Sequence, residues 1–142
     1  MNTLHKFKKS DKDLFKKAFA IRTEVFVNGL NIDPLLEADE FDEISQHYLL
    51  LEDGIPTGTA RWRETENGIK LERFAVPVSS RNKGIGTVLL KEVLADVIPL
   101  NQKIYLHAQH TAVNLYLKNG FETEGEPFEE AGIKHYYMVY RG

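Results

Sequence analysis

Residues 47 to 87 carry the feature that most limits the fold. Three β-rich runs, His47–Leu51, Thr57–Trp62 and Ile69–Val78, are separated by the turn signals Asp53-Gly54 and Glu66-Asn67-Gly68. They predict an antiparallel meander. The third run passes through Arg81-Asn82-Lys83-Gly84-Ile85-Gly86-Thr87 into Val88, Leu89, Leu90, Val93, Leu94 and Val97, apolar positions at helical spacing that end before Pro99. A meander that feeds a strand, a glycine turn and a helix belongs to a mixed α/β (α+β) fold.

The flanks extend this pattern. Ser10-Asp11-Lys12-Asp13 starts a helix whose stripe is Leu14, Phe15, Ala18, Phe19, Ile21, Arg22, Val25 and Phe26, and Asn28-Gly29 reads as its left-handed cap. Glu37, Asp39, Glu40, Asp42 and Glu43 follow with no compensating base, which predicts a surface loop or short helix. Lys103–Leu106 reads as a strand and Thr111–Lys118 as a helix stopped by Asn119-Gly120. Phe121–Glu124 and Lys134–Tyr140 read as two last strands joined by a long loop. The order β-α-(α)-β-β-β-α-β-α-β-β over 142 residues predicts one domain, residues 1–142.

Composition removes several functions. A net charge of -3 supplies no basic field for nucleic acid. The absence of cysteine excludes disulfides, a Cys-ligated zinc and a thiol nucleophile. No apolar run approaches the ~20 residues a bilayer requires, and residues 1–10 lack the apolar core of a signal peptide, so no membrane association and a cytoplasmic address are expected.

The glycine turn is where chemistry would sit. Gly84 and Gly86 remove the Cβ atoms that would keep a ligand from the backbone, and a helix start leaves N–H groups aimed outward. With Arg81 and Lys83 beside them, these groups favour a pyrophosphate; a capped helix start with no ligand is the plainer alternative. A dinucleotide fingerprint fails because position 89 is Leu89, and a P-loop fails because Lys83 precedes Gly84.

Arg81-Asn82-Lys83-Gly84-Ile85-Gly86 resembles the pyrophosphate loop of the GCN5-related N-acetyltransferases (GNAT). Ala112–Phe121, a helix carrying Tyr116 and ending in Lys118-Asn119-Gly120-Phe121, resembles that family's second signature. The element order is similar over nearly the whole chain. Residues 22–27, 71–76, 107–109 and 128–135 are further similar to a bacterial subgroup of ElaA-like and YjcF-like acetyltransferases. Asn28-Gly29-Leu30, Lys134 and Gln109 depart from the usual pattern, the first two on the acceptor side.

The resemblance implies a mostly antiparallel, splayed sheet of six to seven strands with about four helices, whose fourth and fifth strands part to admit acetyl-CoA as co-substrate. It implies cofactor contacts from Phe74, Ala75, Val76, Arg81, Asn82, Lys83, Gly84, Ile85, Gly86, Thr87, Gln109 and Tyr116. Pro77 cannot donate to a ladder, so Phe74–Val76 would be left to bond the pantetheine amides, unless Pro77 merely ends the strand. Tyr116 is implied as general acid, a backbone N–H near Val76 would polarise the thioester, and Glu72 could accept the amine proton through a water. A packed aromatic and a salt-bridged carboxylate are the alternative roles of Tyr116 and Glu72.

No histidine pair has metal-ligand spacing, so no metal is expected. His107 is an alternative base, and His135 could line the same cavity or be a half-buried strand residue. Arg22 and Phe26 are further candidates on the acceptor side. Arg61 and Arg63, alternating onto one strand face, would suit a carboxylate or phosphate, whereas the acidic segment Glu37–Glu43 would attract a cationic amine; either set can also be solvated surface. The expectation is acetyl transfer to a primary amine of a small molecule or peptide by direct attack, in a monomer or homodimer. Its rivals are a non-catalytic acyl-CoA sensor and an amino sugar phosphate acetyltransferase.

Overall fold

The computed structural model describes residues 1–142. Asp53 and Gly54 both adopt positive φ, +50° and +82°, the turn whose twist matches paired strands. They join β2 (Gln46–Glu52) to β3 (Ile55–Thr65), which returns through Gly68 as β4 (Gly68–Ala75). β1 (Asn2–Phe7) lies antiparallel to β2. β5 (Ile104–Gln109) runs parallel to β4, and β8 (Ile133–Tyr140) runs antiparallel to β5. β6 (Phe121–Thr123) and β7 (Phe128–Glu130) both pair with the far side of β8.

The sheet therefore has eight strands, in the order β1-β2-β3-β4-β5-β8-β6 with β7 beside β8, rather than the six to seven expected. The additional strand is β7, inside the supposed long loop. At three residues it is too short to display alternation.

Four helices cover the two faces. α1 (Lys12–Arg22) is capped by Asp11, whose carboxylate accepts the Leu14 N–H at 3.2 Å, and its Ala18 and Ile21 pack with Phe7, Leu49 and Ala75. α3 (Ile85–Val97) buries Leu89, Leu90, Val93 and Val97 on the opposite face, against Tyr48, Ala60, Ile69, Leu71 and Leu106. Gly58 permits this approach, since a Cβ there would lie 2.7 Å from Ile85 Cγ2. α2 (Pro34–Glu37) and α4 (Val113–Leu117) are short.

The first helix does not end as expected. α1 continues into a π-helical turn, Thr23–Asn28, and Gly29 has φ -80°, not a left-handed value. Glycine is needed there for space: a Cβ would lie 2.6 Å from the Val25 carbonyl oxygen. Asn31, at φ +57°, takes the left-handed step instead.

Splaying of the sheet also has a different origin from the one read at Pro77. β4 pairs with β5 only through Ile69–Leu71, well before the proline. On its other edge, β4 pairs Glu72 with Arg61 and Ala75 with Thr59, so Arg73 and Phe74 oppose Ala60 alone. This is a β-bulge with Arg73 at φ +58°. The bulge turns β4 away from β5, and residues Phe74–Val76 leave the pair as one side of a fork.

Candidate active site

The fork opens into a cleft of about 830 Å³, lined at one end by the glycine turn and at the other by residues between Val25 and Phe41. Gly84 caps α3 at φ +75°, and no side chain bonds the first-turn N–H groups. Those of Ile85, Gly86 and Thr87 therefore have no intrahelical partner. A Cβ at Gly84 would meet nothing within 4 Å. Open backbone donors at the positive end of a helix fit a diphosphate.

Phe74, Ala75, Val76, Arg81, Asn82, Gly84, Ile85, Gly86, Thr87 and Gln109 all line the cleft. Lys83 is exposed and is not among the lining residues. Arg81 turns back to donate from Nε to the Val76 carbonyl at 2.9 Å, which ties the turn to the end of β4.

Tyr116, on α4, lines the same cleft and packs edge-on against Phe74 and Phe121, with ring centroids 6.2 and 5.7 Å away. Burial pushes its phenol above the usual 10, so the hydroxyl stays protonated and available as a donor.

On the acceptor side the charges are organised differently from the expectation. Arg22 is 1% exposed; it bonds Glu37 Oε1 from Nε at 2.6 Å and both oxygens of Asp42 at 2.8 and 3.1 Å. Arg61, also 1% exposed, makes five hydrogen bonds to Asp39, Asp42 and Glu72. Neither guanidinium is free for an acceptor phosphate. Glu37, Asp39 and Asp42 are in turn not a solvated lure for cations but the counterions of these arginines. Arg63 lines the cleft but donates to Glu72 at 2.8 Å and lies 3.7 Å over the Phe41 ring. Arg73 reaches the Leu36 and Glu37 carbonyls and Asp39 at 3.1 to 3.2 Å, fastening the bulge to α2.

Glu72 is placed beside the fork but is poorly suited to be a base. Burial would raise its carboxyl, but Arg61, Arg63 and Lys70 outweigh burial and hold it down at about 2, against a usual 4.5. A carboxylate this well solvated by cations has little tendency to take a proton at neutral pH. His107, the first β5 residue beyond the β4 pairing, lines the cleft and shares a hydrogen bond of 3.0 Å with Glu130 Oε1 through Nδ1. His135 is buried, shares 2.7 Å with the Ile133 carbonyl through Nδ1, and lies 3.7 Å from the other Glu130 oxygen through Nε2. Phe26, on the π-helical turn, is buried with Ala18, Ile21 and Ala75 and borders the acceptor end.

Glu130 and Arg73 are cleft residues that the sequence reading does not single out. The two-residue Ala131-Gly132 turn, with φ +53° and +77°, was the available signal for the hairpin that presents Glu130. A separate cavity of about 560 Å³ lies among Lys8, Lys9, Lys12, Lys16, Phe15 and Phe19. It shares no residue with the fork.

A splayed mixed sheet whose fork ends at an open helix start is the architecture of acyl-CoA N-acyltransferases. The chain belongs to the GNAT family: the family described as "Acetyltransferase (GNAT) domain" matches residues 13–141. It is 34% identical over 131 residues to the uncharacterized N-acetyltransferase YjcF of Bacillus subtilis (strain 168), covering 91% of this chain and 94% of that one. Escherichia coli ElaA has the same fold, with a TM-score of 0.89 at 23% identity over 99% of this chain and 100% of that one. A GNAT acetyltransferase of Elizabethkingia anophelis, solved with acetyl-CoA bound, matches with a TM-score of 0.66 at 22% identity over 97% of this chain and 94% of that one. The protein is thus an acyl-CoA-dependent N-acetyltransferase.

Proposed function

We propose that residues 1–142 act as one catalytic unit that moves acetyl to a primary amine of a small molecule or peptide by direct attack in a ternary complex. The single observation carrying this is that one cleft brings together the open α3 start, the unpaired Phe74–Val76 edge and the Tyr116 side chain. Acetyl-CoA supplies an activated acyl carbon, at which a C–N bond forms as the C–S bond breaks.

The chain's own residues handle position and protons. The amides of Ile85, Gly86 and Thr87 hold the diphosphate, and the Phe74–Val76 backbone orients the pantetheine amides as a neighbouring strand would. A backbone N–H near Val76 donates to the carbonyl oxygen as negative charge develops there. Tyr116 gives its proton to the departing thiolate. The amine proton passes to His107, directly or through one water, rather than to Glu72, whose charge is already matched by three cations. Glu130 holds the His107 ring in place.

Release of CoA thiol tests the assignment. Tyr116→Phe keeps the edge-on packing and should lower kcat about a hundredfold, with acetyl-CoA affinity by calorimetry unchanged. His107→Gln should lower kcat at least about tenfold with acetyl-CoA affinity unchanged. Unaltered turnover in Tyr116→Phe removes the tyrosine from the mechanism, and unaltered turnover in His107→Gln removes the histidine.

A further inference from the structure

The acceptor end of the cleft limits the kind of amine that can enter, by what it has left unpaired. Its strong cations are matched internally: Arg63 and Lys70 by Glu72 at 2.8 and 3.3 Å, and Arg73 by Asp39 at 3.1 Å. A phosphate or a carboxylate on the substrate would have to break one of these pairs. That would strand a partly buried charge, which costs more than the pair itself contributes.

Apolar surface remains available. Phe26, Leu30, Ile32, Leu36 and Phe41 border this end of the cleft. Leu30 and Leu36 are 39% and 57% exposed, so the wall keeps apolar surface accessible. Two buried polar atoms on cleft-lining residues, Glu37 Oε2 and Arg73 Nε, have no hydrogen-bond partner. They leave one acceptor and one donor open beside the apolar wall.

We infer that the acceptor is a primary amine on an apolar aliphatic or arylalkyl body that carries no phosphate or carboxylate. This rests on the transferase reading above. The ammonium end faces the fork, and the apolar body lies along the Phe26–Phe41 wall.

The test is CoA-thiol release from acetyl-CoA with n-propylamine to n-hexylamine, 2-phenylethylamine, spermidine and glucosamine 6-phosphate, each compared as kcat/KM. The expected result is a rise of about threefold to fourfold per added methylene, with 2-phenylethylamine preferred over spermidine and the sugar phosphate. Leu36→Ser, at a half-exposed position that tolerates the change, should flatten the alkylamine series while acetyl-CoA affinity stays at the parent value. A flat series in the parent, or preference for spermidine or the sugar phosphate, overturns the inference alone. Release with no amine in a protein that still binds acetyl-CoA overturns the transferase mechanism as well.

Discussion

Arg61→Ala should weaken the fold rather than the acceptor. The guanidinium is 1% exposed and donates five hydrogen bonds, at 2.6 to 3.2 Å, to three carboxylates. Two of those carboxylates are nearly inaccessible, with Asp42 and Glu72 side chains 3% and 6% exposed. Breaking a buried pair by removing one partner typically costs 3–5 kcal/mol. Each carboxylate keeps another cation: Arg22 for Asp42, Arg63 and Lys70 for Glu72, and Arg73 for Asp39. The lower end, about 3 kcal/mol, is therefore expected. For a chain of this size that is a fall of about 10 °C in Tm, readable by circular dichroism. At a temperature where the variant is folded, its KM for acetyl-CoA should be near the parent's. A Tm within about 2 °C of the parent, with KM raised only for phosphate- or carboxylate-bearing amines, would refute the structural role and return Arg61 to the acceptor site.

Gly84→Val places a side chain where a Cβ meets nothing within 4 Å and where φ is +75°. Its stability cost should be about 1–2 kcal/mol of backbone strain, while acetyl-CoA affinity by calorimetry should fall by at least about tenfold; undiminished affinity would mean that the diphosphate does not approach this turn. Acid should unfold the protein through the same network that Arg61 centres. Burial would raise the Asp39, Asp42 and Glu72 carboxyls, but the neighbouring arginines hold all three below their unfolded values. Depressed carboxylates stabilise the fold above the unfolded range near 4 and lose that contribution as pH falls toward about 2. His47 adds to this, since burial lowers its pKa beneath 6.5 and its protonation favours the unfolded chain. Urea midpoints should thus decline from about pH 6 and drop most steeply between about 4.5 and 2; a flat profile from pH 6 to pH 3 would contradict the ion-pair geometry.

What could be read from the residues and what could not divides by range along the chain. The glycine turn, the Asp53-Gly54 hairpin and the helix bearing Tyr116 are each specified within a few neighbouring residues, because φ values and hydrophobic spacing are local quantities. The fork is implied by the family resemblance, and Pro77 offers one local cause for it beside simply ending the strand; Arg73 carries no sequence mark of a bulge, since its left-handed φ is held by contacts with Leu36, Glu37 and Asp39.

The acceptor-side charges were misread for a related reason. An acidic run and two alternating arginines look like two separate binding surfaces when each is weighed alone. Folding brings Asp39 and Asp42 against Arg61 across sequence separations of 22 and 19 residues, and the two apparent lures cancel. Charge pattern along a chain reports what is available to pair, whereas substrate recognition depends on what remains unpaired after folding. In this cleft the unmatched features are an apolar wall, one carboxylate oxygen of Glu37 and the Nε of Arg73, none of which a count of charges along the sequence singles out.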